Sequence, residues 1–176
     1  MPRTKKGGEA KRRRGSSAYD EALYYLTPKA RTVREVENRL DECNYSEGEI
    51  MQTVERLIAA GLLNDEKYAH DFVSSRLATK PVSKRKLREQ LAGHFIPGEL
   101  IDAALAEVSD EAESENAFAV AEKYYRQFAS LAEDERRRRV GLRLTSRGYG
   151  YDDIRAALER LSELCEEKED CDDEYA

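Results

Sequence analysis

Aliphatic residues recur along this chain in one repeated figure. Val36, Leu40, Ile50, Val54 and Leu57 are matched at an offset of 51 by Leu87, Leu91, Ile101, Leu105 and Val108, and at an offset of 104 by Val140, Leu144, Ile154, Leu158 and Leu161. The three segments align without a gap, and all fifteen positions are aliphatic. Each set is spaced by four, then a break of ten, then four and three, which predicts two short amphipathic helices joined by a turn. Polar residues punctuate the pattern in agreement with it. Thr32 with Glu35, and Ser46 with Glu49, have capping-box spacing, so their side chains can satisfy the free amides that open both helices of the first hairpin. Gly61 suits the left-handed position that closes the second helix, Ser83 suits an N-cap, Pro97 suits a first turn that needs no amide donor, and Gly148 suits a turn.

Each hairpin is preceded by another stretch of helical periodicity. Residues 18–26 turn Leu23 and Leu26 inward, 66–79 turn Tyr68, Phe72, Val73 and Leu77, and 111–128 turn Phe118, Ala121, Tyr125 and Phe128. The expected fold is all-α: an elongated array of three tandem three-helix repeats, about nine helices. The expected boundaries are a basic disordered arm at 1–17, repeats at 18–65, 66–110 and 111–162, and an acidic disordered tail at 163–176. A unit of about 45 residues buries too little surface to stand alone, so neighbours should stack and present a long face to another macromolecule.

Composition agrees with an extended helical body. Hydrophobic residues make up 40% and charged residues 38%, with four Pro and no Trp. No apolar run approaches the roughly 18 residues of a membrane span, and the Arg-rich start lacks the apolar core of a secretory signal, so a cytoplasmic protein without membrane contact is expected. Cys43, Cys165 and Cys171 are odd in number and lie in no nucleophile motif; with His70 and His94 they make no metal quartet, and they read as free thiols.

Charge is unevenly placed. Residues 1–14 carry seven Lys/Arg against one Glu, and residues 163–176 carry eight Asp/Glu against one Lys. Among the aligned units, 32–40 holds two Arg and two Glu. The equivalent 83–91 holds Lys84, Arg85, Lys86 and Arg88 against Glu89, and 136–144 holds Arg136, Arg137, Arg138, Arg139 and Arg143 with no acid. The last helix of every unit is net acidic. Although each unit resembles a helix-turn-helix, Glu99, Asp102 and Glu107 would repel phosphates in a major groove, which argues against sequence-specific reading. The basic middle helices, with Arg147 beyond them, are the candidate partner surface, for phosphates or for an acidic protein groove. A solvated face, paired within the molecule to acids such as Glu133, Asp134 and Glu135, explains the same residues equally well.

Several short motifs resemble the RecX family of regulatory proteins. Ala60-Gly-Leu-Leu-Asn-Asp-Glu-Lys-Tyr-Ala69 is similar to that family's Gly, apolar-pair, acidic-pair, aromatic-Ala step. Ala22-Leu-Tyr-Tyr-Leu26, Arg31 and Glu35 to Leu40 resemble its opening helix and first hairpin, and Arg147-Gly-Tyr-Gly-Tyr-Asp-Asp-Ile154 with Ala157-Leu158 resembles its closing signature. The resemblance spans residues 18–162. His94-Phe95 departs from the family's usual basic residue and Gly, and Thr27-Pro28-Lys29 from its Arg-containing linker; both bear on groove contacts rather than on fold. The resemblance implies a protein that lies in the groove of the RecA filament on single-stranded DNA, bridges neighbouring protomers, and limits filament growth, ATP turnover and co-protease activity in DNA repair and the SOS response. A monomer with weak non-specific DNA contact is a further expectation.

Enzyme chemistry finds no purchase. The chain has no phosphate loop or dinucleotide fingerprint and no strand to carry one, and Asp152-Asp153 is explained by a helix start. No catalytic, cofactor or metal residue is expected. Two further readings remain: a direct DNA-binding module using the basic arm and Arg136 to Arg139, and a helical scaffold for an unrelated acidic protein. The acidic tail folding back on the basic helices is a separate expectation, resting on opposite charge.

Overall fold

In the computed structural model, residues 15–173 are described, with side-chain surroundings to residue 164. Among these residues all regular structure is helical: α1 (Ala18–Leu26), α2 (Val33–Glu42), α3 (Glu47–Ala59), α4 (Asp65–Thr79), α5 (Lys84–Gly93), α6 (Gly98–Ala106), α7 (Asp110–Gln127), α8 (Glu133–Ser146) and α9 (Tyr151–Asp173). Capping boxes form at Thr32 with Glu35 and Ser46 with Glu49, and a further one at Ser17 with Asp20. Pro97 stands at the N-cap of α6, one residue before the first turn. Helix α9 extends past residue 162 into the acidic segment expected as a tail. Residues 1–14 of the basic arm and 174–176 of the acidic tail lie outside the described residues.

The aliphatic figure becomes three separate cores, one for each set of three helices. Twelve of its fifteen residues are buried, and Ile50, Ile154 and Leu158 are half-buried against the same clusters. Each fully buried leucine contributes about 1.5–3 kcal/mol by leaving water, which is why the figure repeats so strictly. The middle helix of every unit ends alike. The amides of Tyr45, Ile96 and Tyr149 reach back to the carbonyls of Leu40, Leu91 and Leu144 at 3.2, 3.2 and 3.3 Å. The residue before each, Asn44, Phe95 or Gly148, is left-handed, with φ of 58, 63 and 91°. This is a Schellman closure, and the residue after the left-handed one is buried in all three units (Tyr45, Ile96, Tyr149).

Helix-on-helix packing lies mainly within units, and the units meet end to end. The start of α2 sits on the end of α5: Thr32 Oγ1 donates to the His94 carbonyl at 2.8 Å, the Val33 amide donates to Asp65 at 2.9 Å, and Glu35 pairs with His94 Nδ1 at 2.9 Å. The start of α5 sits on the end of α8 in the same way. There the Ser83 amide donates to the Arg147 carbonyl at 3.1 Å and the Lys84 amide to Glu113 at 2.8 Å. The two junctions differ in which atom of the cap residue reaches across. The Thr32 amide is taken by Glu35 in its capping box, so Thr32 bridges with its hydroxyl, whereas Ser83, with Lys86 in place of that acid, donates its amide directly to the carbonyl beside Gly148.

A Cβ on Gly148 would lie 2.5 Å from Ser83 Oγ and 2.8 Å from Lys86 Cβ, in a backbone conformation that disfavours L side chains. Gly148→Ala is therefore expected to destabilise the chain by at least about 2 kcal/mol, the left-handed penalty plus the clash. Phe95→Gly relieves a strained φ and is expected to leave stability within about 1 kcal/mol or raise it. Denaturant unfolding checks both; equal losses at the two positions would contradict the asymmetry.

Candidate functional site at a basic junction

Helices α5 and α8 carry nine of the ten basic residues expected to meet a partner, and the tenth, Arg147, caps α8. Three of the ten hold the second junction together. Lys84 Nζ lies 2.7 Å from Asp110, Arg85 donates through Nε and Nη2 to the Gly148 carbonyl at 3.3 and 3.2 Å, and Arg147 donates to the Pro81 carbonyl at 2.7 Å and the Tyr124 hydroxyl at 3.1 Å. Two hold the third unit: Arg136 stacks 3.3 Å over the Tyr125 ring and donates to the Tyr125 carbonyl, and Arg137 donates to Ser162 Oγ. Four make surface ion pairs, Lys86 with Glu89, Arg88 with Asp102, and Arg138 and Arg139 with Glu135. Arg143 is exposed and forms no ion pair among the described residues.

Arg143 opens onto a cleft of about 240 Å³ between the second and third units. Its cations come from both sides: Arg76 on α4, Lys80 capping α4, and Lys86 on α5 face Arg143 and Arg147 across the junction, with Tyr124 of α7 beside them. A neighbouring hollow of about 440 Å³ shares Lys80, Tyr124 and Arg147 and adds Lys123. No carboxylate lines either space. Arg76 is aimed by a 3.0 Å hydrogen bond from its Nε to Gln90, and Arg147 by the Pro81 and Tyr124 contacts, all to neutral acceptors that leave the charge uncompensated. Arg147's hydrogen bond to the phenol oxygen holds Tyr124 below the ordinary phenol range, against a smaller effect of burial. Arg76 and Lys80 also sit at the C-terminus of α4, where cations offset the helix dipole.

Arg76, Lys80, Lys123 and Tyr124 lie outside the expected surface, because in the sequence the concentration of charge stands out on the middle helices and not on α4 or α7. The spacing of four between Arg76 and Lys80, with no acid partner within a turn, was the available signal. Among the described residues no group of His, Cys, Asp and Glu could hold a metal ion, and no helix is long and apolar enough to cross a membrane. Cys43 is free and buried, and burial pushes its thiol up. His70 pairs with Glu107 and His94 with Glu35, so both imidazoles are tied to surface or junction carboxylates.

Fold and site together define a helical tandem-repeat protein whose cations converge where two repeats meet. Comparison with known proteins makes the class specific. Family models described as the first, second and third three-helix domains of RecX match residues 18–57, 64–105 and 111–158. "Regulatory protein RecX" of Trichlorobacter lovleyi is 35% identical over 147 residues, covering 82% of this chain and 96% of that one. The protein of the same name from Mycobacterium avium is 33% identical, covering 84% of each chain. A crystal structure of RecX from Lactobacillus salivarius superposes with a TM-score of 0.71 at 26% identity, over 82% of this chain and 94% of that one. The chain belongs to the RecX family.

The hydrogen bonds from Arg138 and Arg139 hold the Glu135 carboxyl down to about 2. A carboxylate depressed in the folded state contributes stability that is present above its unfolded value and fades as pH falls toward 2. Carboxyl NMR titration should find Glu135 charged until about pH 2, and Arg138→Gln combined with Arg139→Gln should return it toward the ordinary carboxylate range. An unchanged titration in that variant would show that the pairs do not form in solution.

Proposed function

We propose that this chain binds a RecA nucleoprotein filament on single-stranded DNA and restrains it, limiting its growth, ATP turnover and co-protease activity, and so regulates recombinational repair and the SOS response. The observation that carries this reading is the match of all three units, in order, to the RecX domains. Its physical support is a row of three units joined end to end, with a basic cleft on one junction. The protein works by binding, as a cytoplasmic monomer, and performs no chemistry of its own. Arg143, Lys86, Arg88, Arg138 and Arg139 are the residues of the expected surface whose charged ends reach solvent; Lys84, Arg85, Arg136, Arg137 and Arg147 act by holding that surface in shape.

A second reading, direct and non-specific binding to DNA, is favoured by one observation, the unpaired cations of the cleft. The two are separated by ATP hydrolysis of the cognate RecA on single-stranded DNA, titrated with this protein at amounts well below the recombinase. Suppression at those amounts is the expected result. Suppression only when the protein saturates the DNA, with an apparent affinity falling steeply with salt, would assign the effect to DNA coating. No change in ATP turnover at any amount would overturn both and leave a helical scaffold for another partner.

A further inference from the structure

We propose that the cleft between the second and third units is a phosphate site that ties the two units together, and that a single nucleic-acid strand supplies the phosphate. Among the described residues, Arg76, Lys80, Arg143 and Arg147 form no ion pair, and only Lys86 of the five lining cations has a carboxylate partner. Four uncompensated charges drawn from facing units repel one another, a cost that a bound anion would reverse. The neutral acceptors on Arg76 and Arg147 fix the direction of the guanidinium groups without neutralising them.

Donors converge from α4, α5 and α8, which suits a group with charge spread over several oxygens pointing in different directions. At about 240 Å³ the space holds on the order of eight waters, room for a phosphate but not for a drug-sized ligand. Past Arg143 lies a further hollow lined by Phe128, Arg139, Leu142 and Ser146, where the exposed Leu142 and the half-buried Phe128 ring make an apolar shelf. The two spaces share Arg143 and Ser146, so a strand with a phosphate in the cleft would have that shelf beside it for an adjoining base, the pairing of cationic groove and flat apolar surface by which single strands are held. Because the lining charges belong to both units, the bound phosphate stiffens a junction otherwise made of a few hydrogen bonds.

The test uses the full chain at low ionic strength with two probes, a short oligothymidylate and inorganic phosphate, followed by fluorescence anisotropy and by amide NMR of residues 80–86 and 143–149. The key variant is Lys80→Gln with Arg143→Gln, since neither side chain makes a junction hydrogen bond. Arg34→Gln, in an exposed pair with Glu37, is the control. Saturable binding that weakens at least about tenfold in the double variant and not in the control, with phosphate displacing the oligonucleotide, is the expected result. Lys80→Arg with Arg143→Lys keeps the charge and should keep the binding, which separates loss of the site from loss of the fold. Phosphate binding that leaves the oligonucleotide undisplaced would retain the site and assign it to free phosphate. Equal binding by wild type and double variant, or binding of a polyglutamate peptide with no response to phosphate, would overturn it. The proposal rests on the direct DNA-binding reading and stands apart from the regulatory one: failure of the wild-type chain to bind either phosphate or oligothymidylate, with its suppression of RecA ATP turnover intact, would sink the site alone.

Discussion

A helix begins with amides that have no partner inside it, and in this array that constraint decides how the units join. The first amide of α2 is met by Asp65 and that of α5 by Glu113, each carboxylate coming from the opening helix of the following unit. The N-cap residue then contacts the carbonyl that ends the next middle helix, His94 or Arg147. Positive and negative helix ends thus meet twice along the array, and the starts of α2 and α5 are completed by the following unit. Among the described residues no further unit meets the start of α8. Helix α8 accordingly starts about one turn earlier than its counterparts, without a side-chain cap, and carries Glu133, Asp134 and Glu135 in its own first turn.

The same constraint shapes the basic surface. Closing α5 onto α8 draws Lys84, Arg85 and Arg147 into the junction, where they bind Asp110 and the carbonyls of Gly148 and Pro81. With Lys84 and Arg85 committed, the uncompensated charge facing the cleft comes from Arg76 and Lys80 on the second unit and from Arg143 and Arg147 on the third. Gly148 is the pivot of this arrangement, since a side chain there would push Ser83 and Lys86 off the α8 terminus.

The helices and their cores were legible in the sequence because burial imposes a strict period, and the aliphatic figure reports that period directly. Caps at Thr32 and Ser46 were legible because they act within one turn. The junctions were not, because pairing Val33 with Asp65 or Lys84 with Glu113 depends on how units stack, and no local spacing encodes that. The site was legible only in outline. Counting charge cannot tell Arg85, which is bound to a carbonyl of its own chain, from Arg143, which is not. Nor can it tell that α4 brings Arg76 and Lys80 opposite α8 from more than sixty positions away. Phe95 stood out as a departure from the family pattern, and its consequence, a left-handed residue with a bulky exposed ring, emerged with the backbone.

The magnitudes indicate where such an array yields. Within a unit, nine or ten buried side chains, of which each Val, Leu or Ile is worth roughly 1.5–3 kcal/mol, hold three helices as one cooperative piece. Between units, contact is made by a few hydrogen bonds and ion pairs worth about 1 kcal/mol apiece, several of them open to solvent and to salt. Units joined this way behave as stiff segments on polar hinges, and bending concentrates at the hinge. The second hinge differs from the first in carrying unpaired cations on both sides, so its stiffness responds to anions while that of the first rests on neutral and acidic partners, Thr32, Asp65 and Glu35. A partner that offers phosphates therefore acts on the angle between the second and third units and leaves the angle between the first and second unaltered.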